Sequence, residues 1–283
     1  MTRQFSRIPI IGYCDPLSVR PGETIGFKVS CANNGNFSAR LHRSVCADAN
    51  PDGPGIVEEP VKTSIEKEYP ARSQAFNPGS YAIVERGPTV DGDLTLTAMI
   101  WPTLPGDGKQ VILSAGGFEL SLDADGALAA RAGGIVVSTG KPLLPRQWCS
   151  ARLSYIKASG LLTVAQQTDG IWKHSAEASV RVPSQSYSDS LPVLIAAGLS
   201  DGFADNHFDG KIEAPAIYAA EELDPARIAA KWDFTKQPKS LVIEDIGQGG
   251  FHGKLVNHPA RAMTGSEWDG SEMNWQHKPE HYG

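Results

Sequence analysis

The chain has 283 residues, 41% of them hydrophobic and 20% charged, and a formal net charge of −6. That length suits one large all-β domain or two smaller units. With no Lys/Arg cluster and no long apolar run, neither a nucleic-acid partner nor a membrane-spanning helix is expected.

The N-terminal stretch MTRQFSRIPIIGYCD lacks the long apolar core of a signal peptide, which predicts a cytoplasmic chain. Four cysteines, Cys14, Cys31, Cys46 and Cys149, match no CxxC zinc or redox spacing. Disulfides Cys14–Cys31 or Cys31–Cys46 would be conceivable in a secreted protein. In a cytoplasmic one the expectation is reduced, partly buried thiols. Residues 8–85 read as a first β unit. A turn at Ser18–Thr24 leads into the strand Ile25–Cys31, where Ile25, Phe27, Val29 and Cys31 alternate with small or polar residues. Asn33-Asn-Gly35 reads as a hairpin turn into Phe37–Val45. Asp48–Gly55 is a loop by composition, and Gly79–Val84 reads as a further strand.

From Asp93 to Tyr218 short strands alternate with turns: Asp93–Trp101, Val111–Ser114, Gly117–Leu122, Ala127–Arg131, Ile135–Ser138, Gln147–Tyr155, Leu161–Gln167, Ala178–Val182, Leu191–Ala197 and His207–Tyr218. Such a beat predicts a sandwich or barrel. A helix is predicted at Asp224–Trp232, with Asp224 as N-cap, Pro225 in the first turn, and Ile228 and Trp232 on one face. One more strand is predicted within His252–Asn257, and the segment from Gly265 onward is polar and without periodicity.

Several segments carry a resemblance. LTLTAMIWPT, FELSLDADGALAAR, STGKPLLPRQW, LTVAQQT and FDGKIEAPAIYAAEEL resemble the laminin-G/concanavalin-like jelly roll. Trp148 would anchor the start of a core strand, and Phe208–Ile212 would turn into the final one. The implied fold class is all-β: a jelly-roll β-sandwich over residues 89–262, preceded by a smaller N-terminal β unit (1–88) and followed by a polar tail (263–283). The fold is silent about ligand, because it hosts many functions. The flanks say more. Gly12–Ser30, the stretch around Asn50–Gly55, and His252–Gly270 are similar to the N-terminal region of the N,N-dimethylformamidase large (beta) subunit.

That resemblance implies a non-catalytic, lectin-like part of an amidohydrolase. In the family a further C-terminal domain holds iron on two tyrosines and a glutamate and hydrolyses small formamides to amine and formate. A small helical subunit associates with it. None of the iron ligands maps onto this chain, so no cofactor is expected within it. The partners implied are the family's own C-terminal catalytic region and the small subunit.

Other chemistry in the residues is weighed beside this. Glu267, Asp269 and Glu272 fit E-x-D-x-x-E, the carboxylate set of jelly-roll glycoside hydrolases. Gly270 and Ser271 disfavour a core strand there, so a polar loop with Trp268 packed down is the plainer expectation. His277, Glu280 and His281 could share a metal, but Pro279 opposes a helix between them. Asp201, Asp205 and Asp209 cluster at a strand end, and Asp123 and Asp125 sit in a tight turn. Oxygen-rich loops of this kind can bind Ca²⁺, although Asp and Gly are ordinary turn residues. Trp172, Tyr187 and Phe203 fall in predicted loops and would be the aromatic platform of a free-standing carbohydrate-binding module. No serine elbow surrounds Ser80, and Cys14 and Cys46 have no basic neighbour to make a thiolate.

Overall fold

The computed structural model describes residues 9–32, 35–73, 79–168, 174–200, 202–261 and 263–267. It resolves into two compact units, Met1–Asn77 and Pro78–Gly283. Among its described residues the first unit holds six short strands: β1 (Ile10–Asp15), β2 (Gly26–Cys31), β3 (Asn36–Ser38), β4 (His42–Ala47), β5 (Ile56–Pro60) and β6 (Glu68–Pro70). They pair as three antiparallel ribbons, β1 with β2, β3 with β6 and β4 with β5.

The hairpin expected across Asn33–Gly35 does not form. The partner of β2 is β1, and β3 pairs with the distant β6 instead. Asn33 and Asn34 lie outside the described residues, and the Ala71 N–H donates to the Gly35 carbonyl at 2.8 Å, which ties Gly35 to the β6 end. Register also separates two of the cysteines. Cys14 lies opposite Phe27 and Cys31 opposite Ile10, so the two sit four residues apart along the ribbon. At about 3.3 Å per residue that exceeds disulfide reach, and Cys14, Cys31 and Cys46 stand outside any disulfide. The loop expected at Asp48–Gly55 closes the β4–β5 hairpin, with the Asp48 N–H donating to Gly55 O.

The second unit runs β7 (Tyr81–Val84), β8 (Leu94–Pro102), β9 (Gln110–Ala115), β10 (Phe118–Leu122), β11 (Ala127–Ala132), β12 (Ile135–Pro142), β13 (Cys149–Ile156), β14 (Leu161–Gln167), β15 (Ala176–Arg181) and β16 (Val193–Ile195). It continues with β17 (Gly198–Ser200), β18 (Phe203–Asp205), β19 (Gly210–Tyr218), β20 (Ile228–Asp233), β21 (Val242–Asp245) and β22 (Gly253–Val256). The expected strand train is therefore present, within a residue or two at most ends. The strand near Val84, expected in the first unit, belongs here, because β7 is hydrogen-bonded between β16 and β22.

Fourteen of these strands form one antiparallel ladder in the order β12-β11-β10-β9-β16-β7-β22-β21-β20-β19-β8-β13-β14-β15. The ladder folds over itself: β11 and β12 lie against β14, β12 against β15, and β10 against β13. Alternation decides what fills the gap between the two arms. On β8, Leu94, Leu96, Ala98 and Ile100 point inward, and on β13 Ala151, Leu153 and Tyr155 do. From the other arm come Phe118, Leu120 and Leu122, and the Phe118 and Tyr155 rings meet at 5.1 Å. The result is an all-β jelly-roll sandwich with one apolar core.

The predicted helix at Asp224–Trp232 is overturned. Asp224 does cap, accepting the Ala226 N–H at 2.9 Å, but only the 3₁₀ turn Pro225–Arg227 follows. Ile228–Asp233 is strand β20, with Ala230 and Trp232 fully buried. Their two-residue spacing fits a strand's inward face better than a helix's. Trp232, rather than the half-buried Trp148, is the large buried indole of the core. Nor is β19 the last strand, since β20, β21 and β22 complete the ladder.

The two arms join where β20 pairs with β21, through Trp232↔Asp245 and Asp233↔Glu244. Asp245 is buried there. Its carboxylate accepts the Lys231 N–H at 2.9 Å, the Gly247 N–H at 2.8 Å and the Phe251 N–H at 2.9 Å. The Trp232 Nε1–H donates to Phe251 O at 2.8 Å, and the Asp245 N–H to His252 Nδ1 at 3.1 Å.

A second buried carboxylate lies on the outer face of the other arm. Glu119 is 3% exposed and is held by Lys109 at 2.7 Å and Arg131 at 2.8 Å. The β17–β18 hairpin packs beside β9, and a Cβ on Gly198 would come within 3.0 Å of Val111 and 3.5 Å of Glu119 Oε2. Glycine thus lets the hairpin close over the carboxylate. Burial pushes the Glu119 pKa up, but the hydrogen bonds from Arg131 and Lys109 outweigh it and hold the carboxyl below 4.5.

Two outcomes are expected. Asp245→Ala, which strips the acceptor from three backbone N–H groups, should cost about 2–5 kcal/mol of unfolding free energy by urea titration. A loss under 1 kcal/mol would show that the junction does not depend on it. Glu119→Gln should cost about 1–2 kcal/mol at neutral pH, since both cations are partly exposed and can rehydrate. Because the folded pKa is depressed, this stability is present above pH 4.5 and is lost as pH falls through the lower folded value. The gap between wild type and Glu119→Gln should therefore close in that acid range, and a constant gap would contradict the ion-pair account.

Candidate functional site

The arm formed by β20, β19, β8, β13, β14 and β15 presents its second face away from the core, and this face is unusually polar. Register lines up two rows across it. One row runs Thr95, Ser154, Thr163 and Ser179, four hydroxyls on four neighbouring strands. The next row runs Thr97, Arg152, Ala165 and Glu177. Strand alternation produces both, because the inward neighbours Leu153, Leu162 and Val164 are core residues.

Thr95 and Ser154 are buried, Thr163 is half-buried and Ser179 is exposed. The Thr163 and Ser179 hydroxyls share a hydrogen bond of 2.8 Å. The segment around Glu221 covers the β8 end of the rows. Its Glu221 carbonyl accepts from the Thr95 hydroxyl at 2.8 Å and from Arg152 Nη2. Between that segment and β15 lies a groove of about 260 Å³, lined by Arg152, Ser154, Thr163, Ala165, Glu177 and Glu221 among others. The Arg152 Nε–H is buried without a hydrogen-bond partner.

At the other end of the same face the chain covers itself. Lys211 lies over the Trp101 ring at 4.7 Å and donates to Thr264 Oγ1 at 2.8 Å. The Ser266 N–H donates to Glu213 Oε2 at 2.8 Å. A bulge in β19 between Glu213 and Ala216, with Ala214 at φ 48°, shifts the register here.

A larger, open depression of about 690 Å³ is bordered by Asp91, Asp93, Glu221, Glu222 and Asp224, with Lys157 and Arg227. Its cations are already engaged. Lys157 pairs with Asp91 at 2.8 Å, which lowers the Asp91 pKa and raises that of Lys157, and Arg227 donates twice to Ala219 O.

The residues singled out in the sequence are dispersed. The Asp205 carboxylate accepts from the backbone and side chain of its neighbour Asn206. Asp209 is exposed, and its N–H donates to Gln110 Oε1 at 2.9 Å. Asp201 lies outside the described residues. Asp123 closes the β10–β11 turn, accepting from Asp125 N, Ala127 N and the Ser138 hydroxyl, while Asp125 is exposed. No group of three or more His, Cys, Asp or Glu side chains able to hold a metal exists among the described residues.

Glu267 is exposed, one residue beyond the tethered Ser266, whereas Asp269 and Glu272 lie outside the described residues, as do Trp172, Trp268, His277, Glu280 and His281. Tyr187 is half-buried beside Gly116 with its hydroxyl unpartnered, and burial pushes its pKa up. It is no open platform. Phe203 is 71% exposed. The Ser80 hydroxyl donates to Asn257 O at 2.7 Å. Arg152 and Glu177 were missed. Each is an ordinary outward strand residue in sequence, and only the pairing of β13, β14 and β15 brings them to one groove.

No protein-family model matches the chain. It is 33% identical over 335 aligned residues to the N,N-dimethylformamidase beta subunit of Alcaligenes sp. and 32% identical over 328 to that of Paracoccus aminophilus. Each match takes in 98% of this chain and 43% of the relative, so the chain spans less than half the length of these relatives. Among solved structures, a Bacteroides ovatus protein assigned to carbohydrate binding aligns with TM-score 0.47 at 16% identity, covering 71% of this chain and 65% of its own. A pentraxin from Limulus polyphemus aligns with TM-score 0.41 at 14% identity, covering 52% and 74%. Over nearly its whole length, then, the chain is similar to part of an N,N-dimethylformamidase beta subunit, as the segments Gly12–Ser30 and His252–Gly270 had implied.

Proposed function

We propose that this chain serves as the non-catalytic, lectin-like scaffold of an amidohydrolase of the N,N-dimethylformamidase kind. The observation that carries the reading is the spread of the similarity, 98% of this chain against 43% of the relatives. The chemistry belongs, on this reading, to the part of such a subunit that the chain does not span. That part would hold the iron and hydrolyse small formamides to amine and formate. The described residues offer no set of three carboxylate, imidazole or thiolate ligands for a metal, and no step is routed through iron here.

The partners of the sandwich are then the catalytic region and a small helical subunit. The structural support is a contiguous buried apolar core under a polar outer face, on which Thr264 and Ser266 are already docked. A cytoplasmic setting is part of this reading, in line with Cys14, Cys31 and Cys46 standing outside any disulfide. A carbohydrate-binding role is a second reading, favoured by the Arg152 groove.

The assay is direct. The purified 283-residue chain, supplied with ferrous or ferric iron and N,N-dimethylformamide, should release no formate above the protein-free control. Formate release by this chain would overturn the scaffold reading.

A further inference from the structure

We propose that the groove beside Arg152 is a binding site for a single neutral sugar ring. The argument begins with spacing. Arg152 and Glu177 lie on β13 and β15, two strands apart, with Ala165 of β14 directly between them. Adjacent strands are about 4.8 Å apart, so the two long side chains stand roughly 9–10 Å apart at their backbones. Ala165 contributes only a methyl group to the floor. A slot results, with a donor wall, an acceptor wall and a shallow apolar base, inside a groove of about 260 Å³.

Hydrogen-bonding capacity sets the ligand class. A guanidinium carries five N–H donors, yet Arg152 spends only Nη2, on the Glu221 carbonyl; its Nε is buried, so Nη1 is the donor left open to a ligand. Glu177 is exposed and supplies acceptor oxygens. Behind them stand the Thr163 and Ser179 hydroxyls, whose mutual bond uses one O–H and leaves the other to donate, while both oxygens can still accept. Vicinal hydroxyls on a pyranose need this mixture, one oxygen accepting from arginine while a neighbour donates to a carboxylate.

Charge argues for neutrality. The groove holds one cation, Arg152, and the carboxylate of Glu177, while Glu221 contributes its backbone carbonyl. An added anion would meet Glu177, and an added cation would meet Arg152. A neutral polyol meets no such penalty. The contrast with the open depression around Asp91 is that its cations are already paired or bonded to carbonyls.

The test is calorimetric titration of the intact chain with D-glucose, D-galactose and D-mannose through the millimolar range, with D-glucuronate alongside. At least one neutral sugar should saturate, and D-glucuronate should bind no better than D-glucose. Arg152→Gln should weaken binding at least about tenfold, as loss of a charged hydrogen bond does. Ala165→Leu should abolish binding by filling the slot. It sits half-exposed on the outer face, so its thermal midpoint should stay near wild type and separate occlusion from misfolding. Saturation by none of the three sugars, binding of D-glucuronate alone, or sugar binding that both variants leave unchanged would each overturn the proposal. It stands apart from the amidohydrolase reading, because sugar titration and formate release report different events.

Discussion

The sandwich depends on the place where one ladder becomes two layers. Only two residue pairs join β20 to β21, which is a short seam for a fold-over. The Asp245 carboxylate supplies what the seam lacks, taking backbone N–H groups from β20, from the turn after β21 and from the approach to β22. Trp232 completes it, its ring in the core and its Nε1–H on Phe251 O. A carboxylate that accepts three backbone donors fixes three chain segments at once. An apolar residue of the same size would leave all three donors buried and unpaired. Once this corner is set, the inner faces of β8, β13 and β14 have no choice but to lie over β10 and β11.

The polar face follows from the same constraint. Apart from Gln166, which turns inward on β14 and bonds Thr139 and the Lys141 carbonyl of β12, the residues that alternation sends inward on β13 and β14 are apolar or aromatic, and the other polar residues of those strands are sent out. Because β8, β13, β14 and β15 are paired in simple antiparallel register without a bulge, outward residues stack into straight rows. Hydroxyls at Thr95, Ser154, Thr163 and Ser179 therefore align, and Arg152 faces Glu177 across Ala165. On β19 a bulge breaks the register, and there the outer face is occupied by the chain's own Thr264 and Ser266. The groove lies on the regular side of the arm.

Local pattern made much of this legible. Two-residue periodicity located the strands from Leu94 to Tyr218, because burial on one face is written into each strand separately. Pairing is not written locally. Asn33–Gly35 looked like a hairpin, yet β2 and β3 chose other partners. Asp224-Pro225 signals a helix start correctly as a cap. The alternation of Ala230 and Trp232 then wins, because a place in the ladder beside β19 and β21 was waiting. Arg152 was invisible for the same reason. Nothing in its own strand marks it, and its neighbours Ala165 and Glu177 are contributed by strands 13 and 25 residues later in the chain.

Two arginines show how the same side chain is made structural or left available. Arg261 spends its fork on the loop around it, donating from Nε, Nη1 and Nη2 to the carbonyls of Phe234, Lys236, Gln237, Ser240 and Val242. Nothing remains for a ligand, and the effect is to pin the chain beside β20 and β21. Arg152 makes one such bond, to Glu221, and that single bond orients the guanidinium without exhausting it. The difference lies in the surroundings. Arg261 is ringed by loop carbonyls, whereas Arg152 stands on a strand whose carbonyls are already committed to the ladder. A guanidinium on a sheet face keeps its donors for whatever arrives from outside.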